Sequence, residues 1–362
     1  MSIFNQANTE WLTGKNSLFL GEAPALYDSV NVRHPTLFNL YKQQKQIDWA
    51  ENEVDLSQSK MDLLTCPDSI RDIMLENIAF QWEADSVAAR SLAPLFAPFI
   101  TNSELWAAIS KNAEIEVLHS LTYSEIVRQC VPDPNEVFKR VMHNSYITSR
   151  LKPVVDVFEE LSIAGAQYLL GQRKNDQELY NIVFLGWIAL YCLERLQFAA
   201  SFAATFAVAE QMIFQGIAKL VQKIMQDEIG CHANVDLYVI KHEITTERGK
   251  IAFDSCRDKI IELVNSVYQS ELDFAKHLFS DGRSIIGLNE SLLNGWIDYN
   301  AYHVTTSLFG SSYVIGNSNN PLKYMDNWLD LNKYQNANQE ADNVNYSLNT
   351  IVDDMSDEIF EY

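Results

Sequence analysis

The chain has 362 residues, 47% hydrophobic and 21% charged, enough apolar material for one large core or two modest ones and too much for a disordered protein. A formal net charge of −21 sets it against nucleic acid and against an anionic membrane as direct partners, because either would add like-charge repulsion. Five cysteines, Cys66, Cys130, Cys192, Cys231 and Cys256, are scattered with no C-x-x-C pair and no zinc spacing, the usage expected of reduced packing thiols in a cytoplasm.

Glycine and proline are sparse, 13 and 9, and apolar residues recur at helical spacing, so an almost entirely α-helical protein is expected. The polar, mixed start has no basic-then-apolar leader pattern. Residues 1–66 read as an N-terminal arm carrying Trp49. Pro67 suits a first-turn proline and opens a helix that runs through Asp85 towards a break at Pro94 to Pro98. Thr101, Asn102, Ser103 and Glu104 are capping residues for a second helix, which carries Glu116, His119 and Tyr123 and closes at Pro132 and Pro134.

Shorter pieces at 135–149 and 153–171 follow, and then an apolar helix at 177–206. Glu194, Arg195 and Gln197 interrupt it, so no run reaches the roughly 20 apolar residues that a membrane span needs. A helix apolar nearly all round belongs in the middle of a bundle, and its buried Glu194 then needs a partner. The next helix, 209–239, holds Glu228 and His232, and helices at 251–279 and 288–310 complete a body ending at 334. Residues 335–362 differ, with seven acids and no Lys or Arg. This is the composition of a tail that stays unfolded until bound, and the apolar residues at 351–362 suit a docking peptide better than a solubilising end.

Asp85, Glu116-x-x-His119, Glu194 and Glu228-x-x-x-His232 form the chemical pattern. Residues three or four apart share a helix face, so four antiparallel helices can aim four carboxylates and two imidazoles at one interior point. Any one of these short motifs would ordinarily lie on a solvated face. Here two of the acids lie in apolar helices, and the step from lone acid to Glu-His motif recurs, 31 residues in the first half and 34 in the second. Dinuclear carboxylate bundles use this ligand pattern, and oxygen and nitrogen donors without thiolate suit Fe(II) or Mn(II). Tyr123 lies one turn beyond His119, Phe198 and Phe202 lie one and two turns beyond Glu194, and Asp227 is placed to accept the second N–H of a metal-bound histidine.

Trp49 before the acidic Glu51-x-Glu53-x-Asp55 segment, Asp85, the run from Glu116 to Tyr123, Glu194 with Phe198 and Phe202, Asp227-Glu228 and a tail with Tyr346 together resemble the small, radical-generating subunit of class I ribonucleotide reductase, over most of the chain. The resemblance implies a ferritin-like homodimer with two irons per chain, or manganese, that uses O2 to oxidise Tyr123 to a stable radical walled off by Phe198 and Phe202. It further implies that the hole travels through His119, Asp227, Trp49 and Tyr346, with Glu340 as a proton acceptor, to a large subunit that docks the tail and reduces ribonucleotides. A flavoprotein or ferredoxin-type reductant would serve the metals. No Gly-rich phosphate loop is present, which places the nucleotide on the partner.

Two positions depart from the usual pattern. The first ligand is Asp85, the choice of these small subunits rather than of ferritins. The last motif has one extra residue, so that Cys231 stands in the regular ligand slot. A thiolate would be oxidised at an O2-activating centre, and His232 is expected there instead, through a π-bulge near Gly230. Rival readings on the same fold are a dinuclear oxidase or hydroxylase and an iron-storage protein.

Overall fold

Helix after helix begins where a short polar side chain can take up a free backbone N–H. Asn102 accepts from Leu105 N–H at 2.8 Å, Asn144 from Tyr146 at 3.0 Å, Asp176 from Leu179 at 3.0 Å, Thr246 from Gly249 at 3.0 Å and Asn289 from Leu292 at 2.9 Å. The computed structural model describes residues 5–13, 17–22 and 26–330. The predicted tail, with Glu340 and Tyr346, lies outside the described residues.

The helices in chain order are α1 (Glu10–Thr13), α2 (Pro35–Gln46), α3 (Ser57–Thr65), α4 (Asp68–Phe96), α5 (Ser103–Cys130), α6 (Asn135–His143), α7 (Ser145–Leu169) and α8 (Gln177–Cys192). A π-turn, Leu193–Gln197, carries α8 into α9 (Ala199–Ala209). α10 (Gln215–Asp227) likewise continues through a second π-turn, Glu228–His232, into α11 (Ala233–Ile244). The outer elements α12 (Glu247–Ser255), α13 (Arg257–Leu278), α14 (Glu290–Phe309) and α15 (Tyr324–Trp328) follow. The protein is an all-α, ferritin-like bundle, and no β-strand occurs among the described residues.

Four rods make the centre: α4, α5, α8 to α9 and α10 to α11. α4 runs along α5, the two π-turns face each other, and α7, α12, α13 and α14 cover the outside of α8 and α9. The 33 residues of Gln177–Ala209 are almost wholly buried, as the all-round apolar pattern requires. α10 is seated by a close backbone approach. A Cβ on Gly216 would lie 2.7 Å from the Asp55 carbonyl oxygen, so only glycine lets the first turn of α10 press on the loop before α3.

Several boundaries differ from the sequence expectation. α7 passes straight through Pro153, and the break falls earlier, at Asn144. That residue ends α6 through its own N–H to the Arg140 carbonyl at 3.0 Å, caps α7, and donates its amide to Glu76 at 2.6 Å. The expected start at 209 moves to Gln215, because Met212 and Phe214 are left-handed (φ 60° and 57°) and turn the chain first, with the Phe214 N–H held by Asp62 at 2.8 Å. The single helix expected at 251–279 is two, split at Cys256. The N-terminal arm contains helices of its own, α2 and α3, which pack on α5 and α10.

Candidate metal centre

Six ionisable side chains converge inside this frame. Asp85 comes from α4, Glu116 and His119 from α5, Glu194 from the first π-turn, and Glu228 and His232 from the second. None is more than 2% exposed. Their donor atoms form two overlapping groups: Asp85, Glu116, His119 and Glu228 in one, and Glu116, Glu194, Glu228 and His232 in the other, with the atoms of each group within 4.8 Å of one another. Glu116 and Glu228 belong to both groups and would be shared if each group held an ion.

His119 Nδ1 lies 2.9 Å from Glu228 Oε1, 3.8 Å from Glu116 Oε2 and 3.9 Å from Asp85 Oδ2. His232 Nδ1 lies 2.9 Å from Glu228 Oε2 and 3.0 Å from Glu116 Oε1. Burial pushes Asp85 well above the usual carboxylate range, and it does the same to Glu194, helped by the negative field of Glu228. Glu228 also loses water, but His232, a hydrogen bond from Glu194 and His119 outweigh that and hold it well below its ordinary value. Burial opposes charge on both imidazoles as well. Glu228 and its neighbours nonetheless raise His119 well above normal and bring His232 to about 10. Without a cation, then, the site stores protons.

The residues fit a dinuclear cation site. All the donors are oxygen or imidazole nitrogen, and both oxygens of Asp85 and Oε2 of Glu194 are buried without a hydrogen bond, which is rare unless something else satisfies them. Cys231 is buried on the same turn but belongs to neither group, and burial pushes its thiol up to about 12, so it stays neutral. The extra residue between Glu228 and His232 is absorbed in the second π-turn, which swings His232 inward.

Around this cluster, Asp227 Oδ2 accepts from the Trp49 indole N–H at 2.8 Å and lies 3.2 Å from His119 Nε2. The Trp49 ring stacks on His119 at 6.0 Å and 23°. The Lys223 ammonium sits 5.8 Å over the same indole and is paired with Glu53 at 2.5 Å. Tyr123 is fully buried, and its hydroxyl makes no hydrogen bond. Burial and the charge of Asp85 push its phenol well above the usual range, so it keeps its proton. Phe198 and Phe202 stack at 5.3 Å and 14°, and Phe80 meets Phe198 at 6.1 Å.

Sequence reasoning missed the first π-turn, the fully buried Arg150–Glu271 pair behind it, and Asp236, one turn beyond His232. Both oxygens of Asp236 are buried without a hydrogen bond, as is His232 Nε2. The spacing of Asp236 from His232 was visible in the sequence, whereas Arg150 and Glu271, 121 residues apart, gave no local signal.

A family model described as "Ribonucleotide reductase, small chain" matches residues 27–313. The beta subunit of ribonucleoside-diphosphate reductase 1 from Escherichia coli O157:H7 is 27% identical over 377 residues, covering 98% of each chain. The beta subunit from Buchnera aphidicola (Schizaphis graminum) is 27% identical over 360 residues, covering 96% of this chain and 95% of that one. Among solved structures, the ribonucleotide reductase R2 subunit from Clostridium botulinum superposes with a TM-score of 0.73 at 18% identity, over 91% of this chain and 98% of that one. The dimanganese(II)-NrdF of Streptococcus sanguinis gives 0.66 at 14%, over 84% and 98%.

Proposed function

The chain belongs to the ribonucleotide reductase small-chain family, and from that premise we propose that it is the radical-generating subunit of ribonucleoside-diphosphate reductase, with Tyr123 as the radical residue. The observation that carries this reading is the pair of overlapping four-ligand groups sharing Glu116 and Glu228, with a buried, unpartnered tyrosine on the same helix as two of the ligands. Asp85, Glu116, His119, Glu194, Glu228 and His232 would hold two iron or manganese ions. When bound, such a pair supplies the reduction of O2 and, with it, an oxidising equivalent.

The chain's own residues do the rest. Tyr123 gives up an electron and a proton. Its burial, with Phe198 and Phe202 as the wall, keeps water and reductants from the product. Asp227 fixes the tautomer and orientation of His119 and joins it to Trp49 by hydrogen bonds, which supports a path from His119 through Asp227 and Trp49 to Tyr346 in the tail. The large subunit, docked by that tail, would receive the hole and reduce the ribonucleotide. The outward face of α5, where Trp106, Val117 and Leu121 are exposed, suits the homodimer contact. The five free cysteines suit a reducing cytoplasm.

The dinuclear reading is tested by titration. Two ions per chain should survive dialysis of the Mn(II)- or Fe(II)-loaded protein, and a single ion or none would overturn it. His232→Ala should weaken one of the two ions at least about tenfold, while Cys231→Ala leaves both bound; the reverse order would make Cys231 the ligand. Trp49→Phe should keep the metals and the Tyr123 radical yet remove turnover with a large subunit, since phenylalanine stacks but neither donates to Asp227 nor carries a hole. Undiminished turnover would take Trp49 out of the path.

A further inference from the structure

The first π-turn, which presents Glu194, is built around a charge pair outside the ligand cluster. Arg150 on α7 and Glu271 on α13 are buried to 1% and 0% exposure. They form a two-pronged pair, Nε to Oε1 at 2.5 Å and Nη2 to Oε2 at 2.7 Å, with the guanidinium between the rings of Phe80 and Phe274, 3.6 and 3.8 Å from their centroids. The remaining polar capacity of the pair is spent on the segment that follows Glu194. Arg150 Nη2 donates to the Gln197 carbonyl at 2.8 Å and Nη1 to Ser201 Oγ at 2.8 Å, while Glu271 Oε2 accepts from the Ala200 N–H at 3.2 Å. The Gln197 side chain in turn donates to the Arg150 carbonyl.

A π-turn displaces the backbone ladder by one residue, and in a dry core any displaced N–H or carbonyl must find another partner. Here those partners are the two charges. A buried ion pair is a weak source of stability, since apolar residues of similar volume often do as well. What apolar residues cannot do is pin the Gln197 carbonyl and the Ala200 N–H in place. Gln197 closes the same five-residue turn, opened by Leu193, that holds Glu194.

We propose that Arg150 and Glu271 are positioning residues: by clamping Gln197 and Ala200 they lock the π-turn and so fix the Glu194 carboxylate for its metal. This rests on the dinuclear reading above. Arg150→Met combined with Glu271→Met, in the full chain, removes both charges at similar volume. Titrated with Co(II), the parent is expected to take up two ions. The double variant is expected to bind the ion at Asp85, Glu116 and His119 within about threefold of the parent, and the ion at Glu194 and His232 at least about tenfold more weakly, with the visible absorption bands of that second ion shifted.

Two ions bound with parental affinity and parental bands overturn the clamp. A parent that binds fewer than two overturns the dinuclear reading itself, and the clamp with it. Should the double variant fail to fold, amide exchange in the metal-free parent decides: residues 194–201 are expected to be as protected as the middle of α8 before any metal is added. Free exchange there until metal arrives overturns the proposal.

Discussion

Tyr123→Phe should take up both metals and yield no tyrosyl signal in an EPR spectrum recorded after Fe(II) loading and admission of O2. Turnover with a large subunit should fall at least about a thousandfold, equivalent to about 4 kcal/mol of barrier. The substitution is clean for a structural reason. The hydroxyl it removes has no hydrogen-bond partner and lies in a fully buried pocket, so no donor or acceptor is orphaned and the ring still fills the space. Metal content and melting temperature should therefore stay close to the parent's. A radical that persists in the variant would move the assignment to another of the 16 tyrosines.

Metal removal should have the largest effect on stability, and that effect should depend on pH. With each ion at a hundred times its Kd, loading stabilises by about 2.7 kcal/mol per site, so two ions together raise the melting temperature by on the order of 10 °C. In the metal-free protein Asp85, Glu194, His119 and His232 all bind their protons more tightly than in the unfolded chain. A raised pKa contributes stability that is complete below the unfolded value and lost as pH climbs through the folded one. For His232 that window runs from its ordinary 6.5 to about 10. Glu228 has the opposite sign, but its contribution is already complete above its ordinary value of 4.5.

The metal-free protein should accordingly weaken between pH 6.5 and about 10 on account of His232, with His119 acting in the same direction, while metal affinity rises over the same range because binding must displace the stored protons. The gap between loaded and unloaded melting temperatures should widen with pH in scanning calorimetry. A gap that narrows would mean that the six side chains do not titrate as one buried cluster.

How much of this was legible in the sequence depends on how local its cause is. The helices could be read from capping residues such as Asn102 and from helical periodicity, and the six side chains that the spacing singles out do converge in the structure, because residues one turn apart must share a face. The irregular second π-turn was also legible, since the extra residue at Cys231 leaves His232 out of step. The first π-turn left no such mark: the Glu194, Arg195 and Gln197 interruption signals a buried function but not a change of ladder. What holds that turn is Arg150 and Glu271, brought together only by the packing of α7 and α13. Pro153 misled for a related reason. A proline interior to a helix is tolerated when tertiary packing decides the break, and here Asn144 had already supplied the cap.

The first π-turn lies at the midpoint of the 33-residue helical rod Gln177–Ala209, which has the length and composition of a membrane span. On insertion scales a charged side chain at the centre of such a segment costs about 3 kcal/mol, and Glu194 and Arg195 stand there side by side. This adjacent pair sets the rod apart from an anchor despite its length and composition. The carboxylate placed to meet a metal in the finished protein thus also makes the rod costly to bury in lipid.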